Sequence, residues 1–298
     1  MAQNPVIFDR ALLRRRWARV AARGPVTFLL DRAAGDLAER LATVLRKFDV
    51  AADLGTPGDA VRRALDDRVG MLVTVDEMPA PRPDRSRLAV VADLEALPFR
   101  DESLDLAVSG LALQFVNDLP GTLAQIRRAL KPDGLFLAAL IGGATLTELR
   151  ESFAAAEDEI EGGASPRVAP FVDVRELGGL LQRAGFSLPV TDADRFTVRY
   201  ASPLSLMDDL RRMGAANALM ERRRTPLRRA TLRRMLEIYG ERYSDFDGRI
   251  RASFEIVWLS GWAPHASQQK PLAPGSAKTR LADALGVRER STGEKVER

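Results

Sequence analysis

Phe48-Asp49-Val50-Ala51-Ala52-Asp53-Leu54 runs directly into Gly55-Thr56-Pro57-Gly58. A short apolar run of strand length stops at a glycine loop, and residues 59–67 then suit a helix. A strand, glycines and a helix in this order let backbone N–H groups approach a ligand at the helix N-terminus. That is a place for an anionic or carboxylate-bearing molecule.

The same alternation continues on the C-terminal side. Val69 to Val75 reads as a second strand, Leu88 to Ala92 as a third, Leu104 to Ser109 as a fourth and Leu135 to Ile141 as a fifth. Asp118 to Leu130 reads as a helix with Pro120 in its first turn, and Lys131-Pro132-Asp133-Gly134 as a turn. Thr145 with Glu148, and Asp173 with Glu176, have the spacing of helix starts closed by reciprocal side-chain caps. Phe186 to Tyr200 alternates as an extended strand does. Short links between strands and helices predict a parallel sheet covered on both faces, with ligands at the carboxyl ends of its strands.

On the N-terminal side, Phe8, Leu12, Leu13, Trp17 and Val20 share one helical face, and Leu30, Leu37, Leu41, Val44 and Phe48 follow at near-helical spacing. Residues 203–242 break the alternation. They read as two arginine-rich helices, the second starting at Thr225-Pro226 and closing at Gly240, before Arg249 to Trp262 returns to strand character. The expected division is N-terminal helices over 1–46 and an α/β core over 47–202. A helical lid over 203–245, the last strand over 246–263 and a polar tail of little order over 264–298 complete it.

The 298 residues contain no cysteine and one histidine, His265, so no disulfide, thiolate zinc site or two-histidine metal triad is available within the chain. No metal site is expected. A net charge of +4 comes from arginines grouped at Arg14–Arg16, Arg211–Arg212, Arg222–Arg224 and Arg228–Arg234, and an acidic partner fits that excess. The arginines are spread over helices and no RNA-binding module accompanies them, so nucleic acid is not the expected partner. No apolar run approaches the ~20 residues that span a bilayer. The expected location is the cytoplasm, or the mitochondrial matrix in a eukaryote.

Candidate site residues follow from the strand ends. Asp53, Gly55 and Gly58 form the first turn. Asp76 ends the second strand, where a carboxylate accepts from ribose hydroxyls. Asp93 follows the third strand, placed to accept from an adenine amino group while Leu94 packs on the ring. Ser109 and Leu111 line the end of the fourth. Gln114 does not titrate, so it offers no general base, and no catalytic residue can be named. His265 is expected at the surface, and Trp17, Trp258 and Trp262 in packing.

Ala92-Asp93-Leu94-Glu95-Ala96-Leu97-Pro98-Phe99, Ser103 to Ser109, Asn117-Asp118-Leu119-Pro120 and the Lys131 to Gly134 stretch resemble small-molecule class I methyltransferases. Phe8-Asp9-Arg10, Gly142 to Arg150, Pro170-Phe171 and Gly261-Trp262 with His265, Ser267 and Gln268 narrow the likeness. They resemble the methyltransferase-like assembly factors of respiratory complex I, relatives of the malonyl-carrier-protein methyltransferases of biotin synthesis. The likeness runs from residue 8 to about 285. It implies a Rossmann-like class I methyltransferase sheet, helical insertion before the last strand, and S-adenosylmethionine as cofactor. It also implies a complex I subunit or an acidic carrier protein as partner, and arginine hydroxylation or a non-catalytic assembly role as the alternative to methyl transfer.

The first loop departs from the family pattern Asp-x-Gly-x-Gly-x-Gly at Pro57 and Asp59. Proline removes a backbone donor. A carboxylate ~5 Å from the methionine carboxylate would repel it by about 3 kcal/mol at an effective dielectric of 20, roughly a hundredfold in affinity. Cofactor binding is expected to be weakened there.

Overall fold

The computed structural model describes residues 6–65, 68–78, 88–269, 276 and 281–288. Its frame is a seven-stranded sheet: β1 (Phe48–Leu54), β2 (Val69–Asp76), β3 (Leu88–Val91), β4 (Leu104–Gly110), β5 (Leu130–Ile141), β6 (Ser187–Tyr200) and β7 (Ile250–Trp262). The strands lie in the order β3-β2-β1-β4-β5-β7-β6. The first five are parallel, and β7 runs antiparallel between β5 and β6. Chain order reverses between β1 and β4, which opens a crevice beyond their carboxyl ends.

Strands buried on both faces need unbroken apolar sequence, and β4 is buried at all seven positions. On one face, α2 (Phe28–Ala42) and α3 (Ala60–Leu65) supply Leu37, Leu41, Val61 and Leu65 to a core with Phe48, Leu106 and Trp258. On the other, α4 (Leu119–Ala129) and α6 (Val174–Arg183) bring Leu123, Ile126, Leu177 and Leu181 against Phe136 and Leu259. The remaining helices of this unit are α1 (Arg10–Arg23), α5 (Thr147–Glu161), α7 (Pro203–Arg212) and α8 (Arg229–Tyr243). A third core joins α5, α7 and α8 through Phe153, Leu206, Met235 and Tyr239, packed with Phe254 of β7.

Four local expectations are corrected. Helix α5 begins at Thr147 with Leu146 as its N-cap and no side-chain cap. Thr145 Oγ1 is held by the Glu255 N–H at 2.9 Å, and Glu148 accepts from the Ser253 N–H at 3.0 Å, so both side chains are committed to β7. The stretch Lys131–Gly134 lies inside β5, with the turn reduced to a kink at Asp133, where φ is +62°. Helix α8 starts at Arg229 and runs through Gly240 to Tyr243. The Thr225 hydroxyl accepts from Arg223 Nε at 2.9 Å and caps nothing. At Asp173 half of the expected reciprocal cap forms: its side chain accepts from the Arg175 N–H at 2.8 Å, and no return bond from Glu176 is present among the described residues.

The chain divides into two units at Pro264. In the second, His265 is exposed with Nδ1 2.6 Å from Ser267 Oγ, and α9 (Leu281–Leu285) is a short helix. The expectation of little order over residues 270–275, 277–280 and 289–298 lies outside the described residues. Among the described residues, no helix is long and apolar enough to cross a membrane.

Candidate functional site

Three strand ends meet in register. The Gly55 N–H donates to the Val75 carbonyl at 2.8 Å, and the Ala92 N–H to the Asp76 carbonyl at 3.0 Å, so the turns after β1, β2 and β3 stand side by side. Beyond them opens a cavity of about 2050 Å³. Small-molecule pockets are usually about 300–1,000 Å³, so this one has room for a cofactor and a second molecule.

The cavity brings together Asp53, Gly55, Gly58, Asp76, Leu94 and Leu111. Gly55 sits at φ +73°, and a Cβ there would lie 2.7 Å from Leu94 Cδ1 and 3.2 Å from Ala112 Cβ. The glycine therefore keeps a cradle open that any side chain would fill. Gly58 shares the positive φ, at +76°, with nothing within 4 Å of its would-be Cβ. Leu111 also has positive φ, at +53°, and its carbonyl accepts from Gln114 Nε2 at 2.7 Å. Gln114 Oε1 is buried with no hydrogen-bond partner among the described residues.

Asp76 has no hydrogen-bond donor to its carboxylate among the described residues, and burial followed by the Glu77 charge pushes it up to about 6. A half-buried carboxylate without donors among the described residues is what a ligand's hydroxyls would satisfy. Asp53 is 3 % exposed and pushed up to about 7, chiefly by burial, against the pull of the Thr56 hydroxyl. Thr56 Oγ1 donates to Asp53 and accepts from the Gly110 N–H at 2.8 Å, tying the first loop to the end of β4. Asp59 is ion-paired to Arg63, one turn on.

Two candidates stand apart from the cavity lining. Ser109 is fully buried and donates to the Leu54 carbonyl at 2.7 Å, a peg between β4 and β1. Asp93 turns Oδ1 to Arg10 Nη2 at 2.5 Å and to the Glu95 N–H at 2.7 Å. Arg10 also pairs with Glu77, whose side chain lines the cavity, and with Glu95 at 3.0 Å. Burial works against the Arg10 cation, but Asp93 and Glu77 outweigh it and hold it charged. Thr56, Glu77 and Arg10 are residues that sequence reasoning gave no role. A hydroxyl three residues after Asp53 is the sequence clue for Thr56, and the partners of Arg10 lie 67 to 85 residues away in sequence.

The far wall comes from other elements. Leu146, Leu149 and Phe153 belong to the α5 region, and Met207, Leu210 and Arg211 to α7. The loop before α8 adds Asn217, Arg222, Arg223, Arg224 and Leu227. The acids of the cavity, Asp53, Asp59, Asp76 and Glu77, all come from the β1 and β2 turns. The charges from the insertion are guanidinium groups only. Arg222 pairs with Asp9 at 3.0 Å and Arg223 with Glu161 at 2.9 Å, whereas Arg211 and Arg224 have no side-chain partner among the described residues.

Sheet order and a rim cavity at the β1–β4 reversal define a class I methyltransferase-type α/β protein. The methyltransferase domain family matches residues 52–138. The arginine-hydroxylase NDUFAF5, mitochondrial, of Danio rerio is 37% identical over 94% of this chain and 90% of the relative. The human protein of that name is 39% identical over 91% and 81%. A malonyl-acyl-carrier-protein O-methyltransferase of Halorhodospira halophila is 35% identical over 95% and 96%. The chain belongs to the family that these methyltransferase-like proteins form. A solved structure described as a methyltransferase from Bacillus halodurans shares the fold with TM-score 0.52 at 16% identity, covering 77% of this chain and 98% of that one.

Proposed function

We propose that the chain is an S-adenosylmethionine-dependent methyltransferase-like enzyme whose acceptor, borne on a protein or small, presents a carboxylate. The observation that carries this reading is one cavity with two kinds of wall: strand-end carboxylates on one side, apolar side chains with guanidinium groups on the other. The Gly55 cradle and the donor-free Asp76 carboxylate fit a nucleoside with free ribose hydroxyls. Gly58, Asp93, Leu94 and Leu111 complete that end on this reading, while Ser109 braces it from below. When bound, S-adenosylmethionine supplies an electrophilic methyl group. Arg211 and Arg224, without carboxylate partners of their own, would draw an anionic acceptor toward it. A carboxylate is already a nucleophile, so the protein's task is placement, and no titrating base is required at Gln114. The insertion over 203–245 would serve as the lid, between the core over 47–202 and the strand over 246–263.

Calorimetric titration with S-adenosylmethionine and S-adenosylhomocysteine tests the cofactor step. Heat and a raised unfolding temperature are expected; no heat and no thermal shift would sink the reading.

A second reading has its own support in the near full-length likeness to arginine-hydroxylases. On it, the chain acts in complex I assembly, by hydroxylating an arginine of a subunit or by binding alone, in the cytoplasm or in a mitochondrial matrix. One added oxygen on a partner arginine, present with the gene and lost in its deletion, would favour that reading. An acceptor arginine would have to enter past Arg211 and Arg224, and like charges there count against it.

A further inference from the structure

Arg10 sits at the start of α1, outside the cavity, yet its guanidinium gathers three carboxylates from two turns. Nη2 is shared by Glu77 and Asp93, and Nη1 meets Glu95 Oε2 at 3.0 Å. Because one nitrogen serves both, the Asp93 carboxylate stands beside that of Glu77, which lines the cavity next to Asp76. Asp93 Oδ1 accepts from both Arg10 and the Glu95 N–H, while no donor reaches Oδ2 among the described residues. The Asp93 side chain is 44 % exposed.

This guanidinium is not needed to fasten its own segment. Ile7 and Phe8 donate their N–H groups to Asn117 Oδ1 at 2.8 and 2.7 Å. The Asp9 N–H reaches the Ala218 carbonyl at 2.8 Å, and the Ile7 carbonyl accepts from Met220 at 2.8 Å. Phe8 and Leu13 pack with Ala218 and Leu219. Asp9 caps α1 by accepting from the Leu12 N–H at 2.9 Å. The strap is thus held by backbone, cap and core contacts, and Arg10 is left to organise the acids.

We propose that Arg10 is a positioning residue for base recognition: by holding Oδ1 of Asp93 it presents Oδ2 to an exocyclic amino group on the bound nucleoside. Without Arg10, Arg14, 3.8 Å from Glu77, is the cation left beside these acids, and Asp93 keeps only the Glu95 N–H to orient it. The inference rests on the nucleoside reading of the cavity given above.

The test compares two ligands whose bases differ at the exocyclic group and at the proton on the neighbouring ring nitrogen. S-inosylhomocysteine carries an oxygen where S-adenosylhomocysteine carries the amino group. The full-length chain should bind the adenosyl form about tenfold more tightly, the scale of one hydrogen bond to a charged acceptor. Arg10→Met should reduce that preference to about twofold. The unfolding midpoint should fall as well, because Glu77, with 7 % of its side chain exposed, keeps only Arg14 as a partner, so the ratio of the two affinities is the readout. Arg10→Lys should recover part of it. Asp93→Asn should lower the preference as Arg10→Met does, and the double variant should add nothing further.

Retention of the wild-type preference in Arg10→Met overturns the proposal. So does an equal loss for both ligands, which would mark Arg10 as structural. Should Arg10→Met fail to fold, an undiminished preference in Asp93→Asn overturns it equally. A wild-type chain that binds both ligands alike removes Asp93 as the base reader. One that binds neither removes the nucleoside reading itself, a separate and recognisable failure.

Discussion

The two ends of the cavity are built from different materials. At the strand ends, the wall is backbone in register, one glycine without room for a Cβ, and carboxylates lifted by burial. At the insertion, it is helix flank and loop, with apolar side chains and guanidinium groups. A geometry fixed by sheet hydrogen bonds tolerates little change, whereas a wall of long side chains can adjust to what enters. The difference separates recognition of a constant ligand from recognition of a variable one. It also puts opposite charges at the two ends, so an acid and a cation are each steered to one side.

The strongest break in this comparison is at Gly55. Gly55→Val places a Cβ 2.7 Å from Leu94 Cδ1 at a backbone φ of +73°. Steric overpacking and left-handed strain together should cost about 3 kcal/mol of stability, read by urea unfolding. Heat of nucleoside binding should vanish. Gly58→Ala, with the same backbone sign but open space, should cost about 1 kcal/mol. Equal losses at the two glycines would mean that loop strain matters and the cradle does not.

Next comes acidity. Asp76 is lifted to about 6 by burial and then by Glu77. A carboxyl raised on folding contributes stability in its protonated form, present at low pH and lost as pH rises through about 6. The loss should be about 1–3 kcal/mol between pH 4 and 7. Binding should run the other way, because ribose hydroxyls donate to the charged form: affinity for S-adenosylhomocysteine should fall as pH drops below about 6. Asp76→Asn should remove that acid limb and flatten part of the stability slope. Part of the remaining slope belongs to Asp53, lifted to about 7. An acid limb unchanged in Asp76→Asn would place the ribose contact elsewhere.

How much of this was legible beforehand depended on how local each cause is. The β1 strand and its glycine turn could be read because apolar periodicity and a φ requirement are properties of neighbouring residues. The start of α5 could not, because Thr145 and Glu148 spend their side chains on Glu255 and Ser253, over a hundred residues away. Asp53, Gly55, Asp76 and Leu94 were found as strand-end residues. Arg10 was not given a role, because its partners Glu77, Asp93 and Glu95 approach it only once α1 has been folded across the rim. Ser109 shows the opposite error: a residue at the right level of the right strand whose side chain turns to the neighbouring backbone.

Asp59 belongs to the strand-end wall, and the sequence alone overstates its effect. A carboxylate ~5 Å from another would cost about 3 kcal/mol at an effective dielectric of 20. In the folded chain, Arg63 pairs with Asp59 and also stands 3.9 Å from Asp31, and Asp59 keeps 39 % of its side-chain exposure. An exposed, paired carboxylate acts through water and its partner's opposite charge, so most of the repulsion is screened. Asp59→Asn should therefore tighten S-adenosylmethionine binding by only about two- to fivefold, within the range of exposed charge pairs. Arg63→Met, which leaves Asp59 without its partner, should weaken binding by a comparable factor. Both effects should shrink as salt is raised from low to physiological strength. A hundredfold gain in Asp59→Asn would mean that Arg63 does not neutralise the loop, and that the strand-end wall repels its ligand from within.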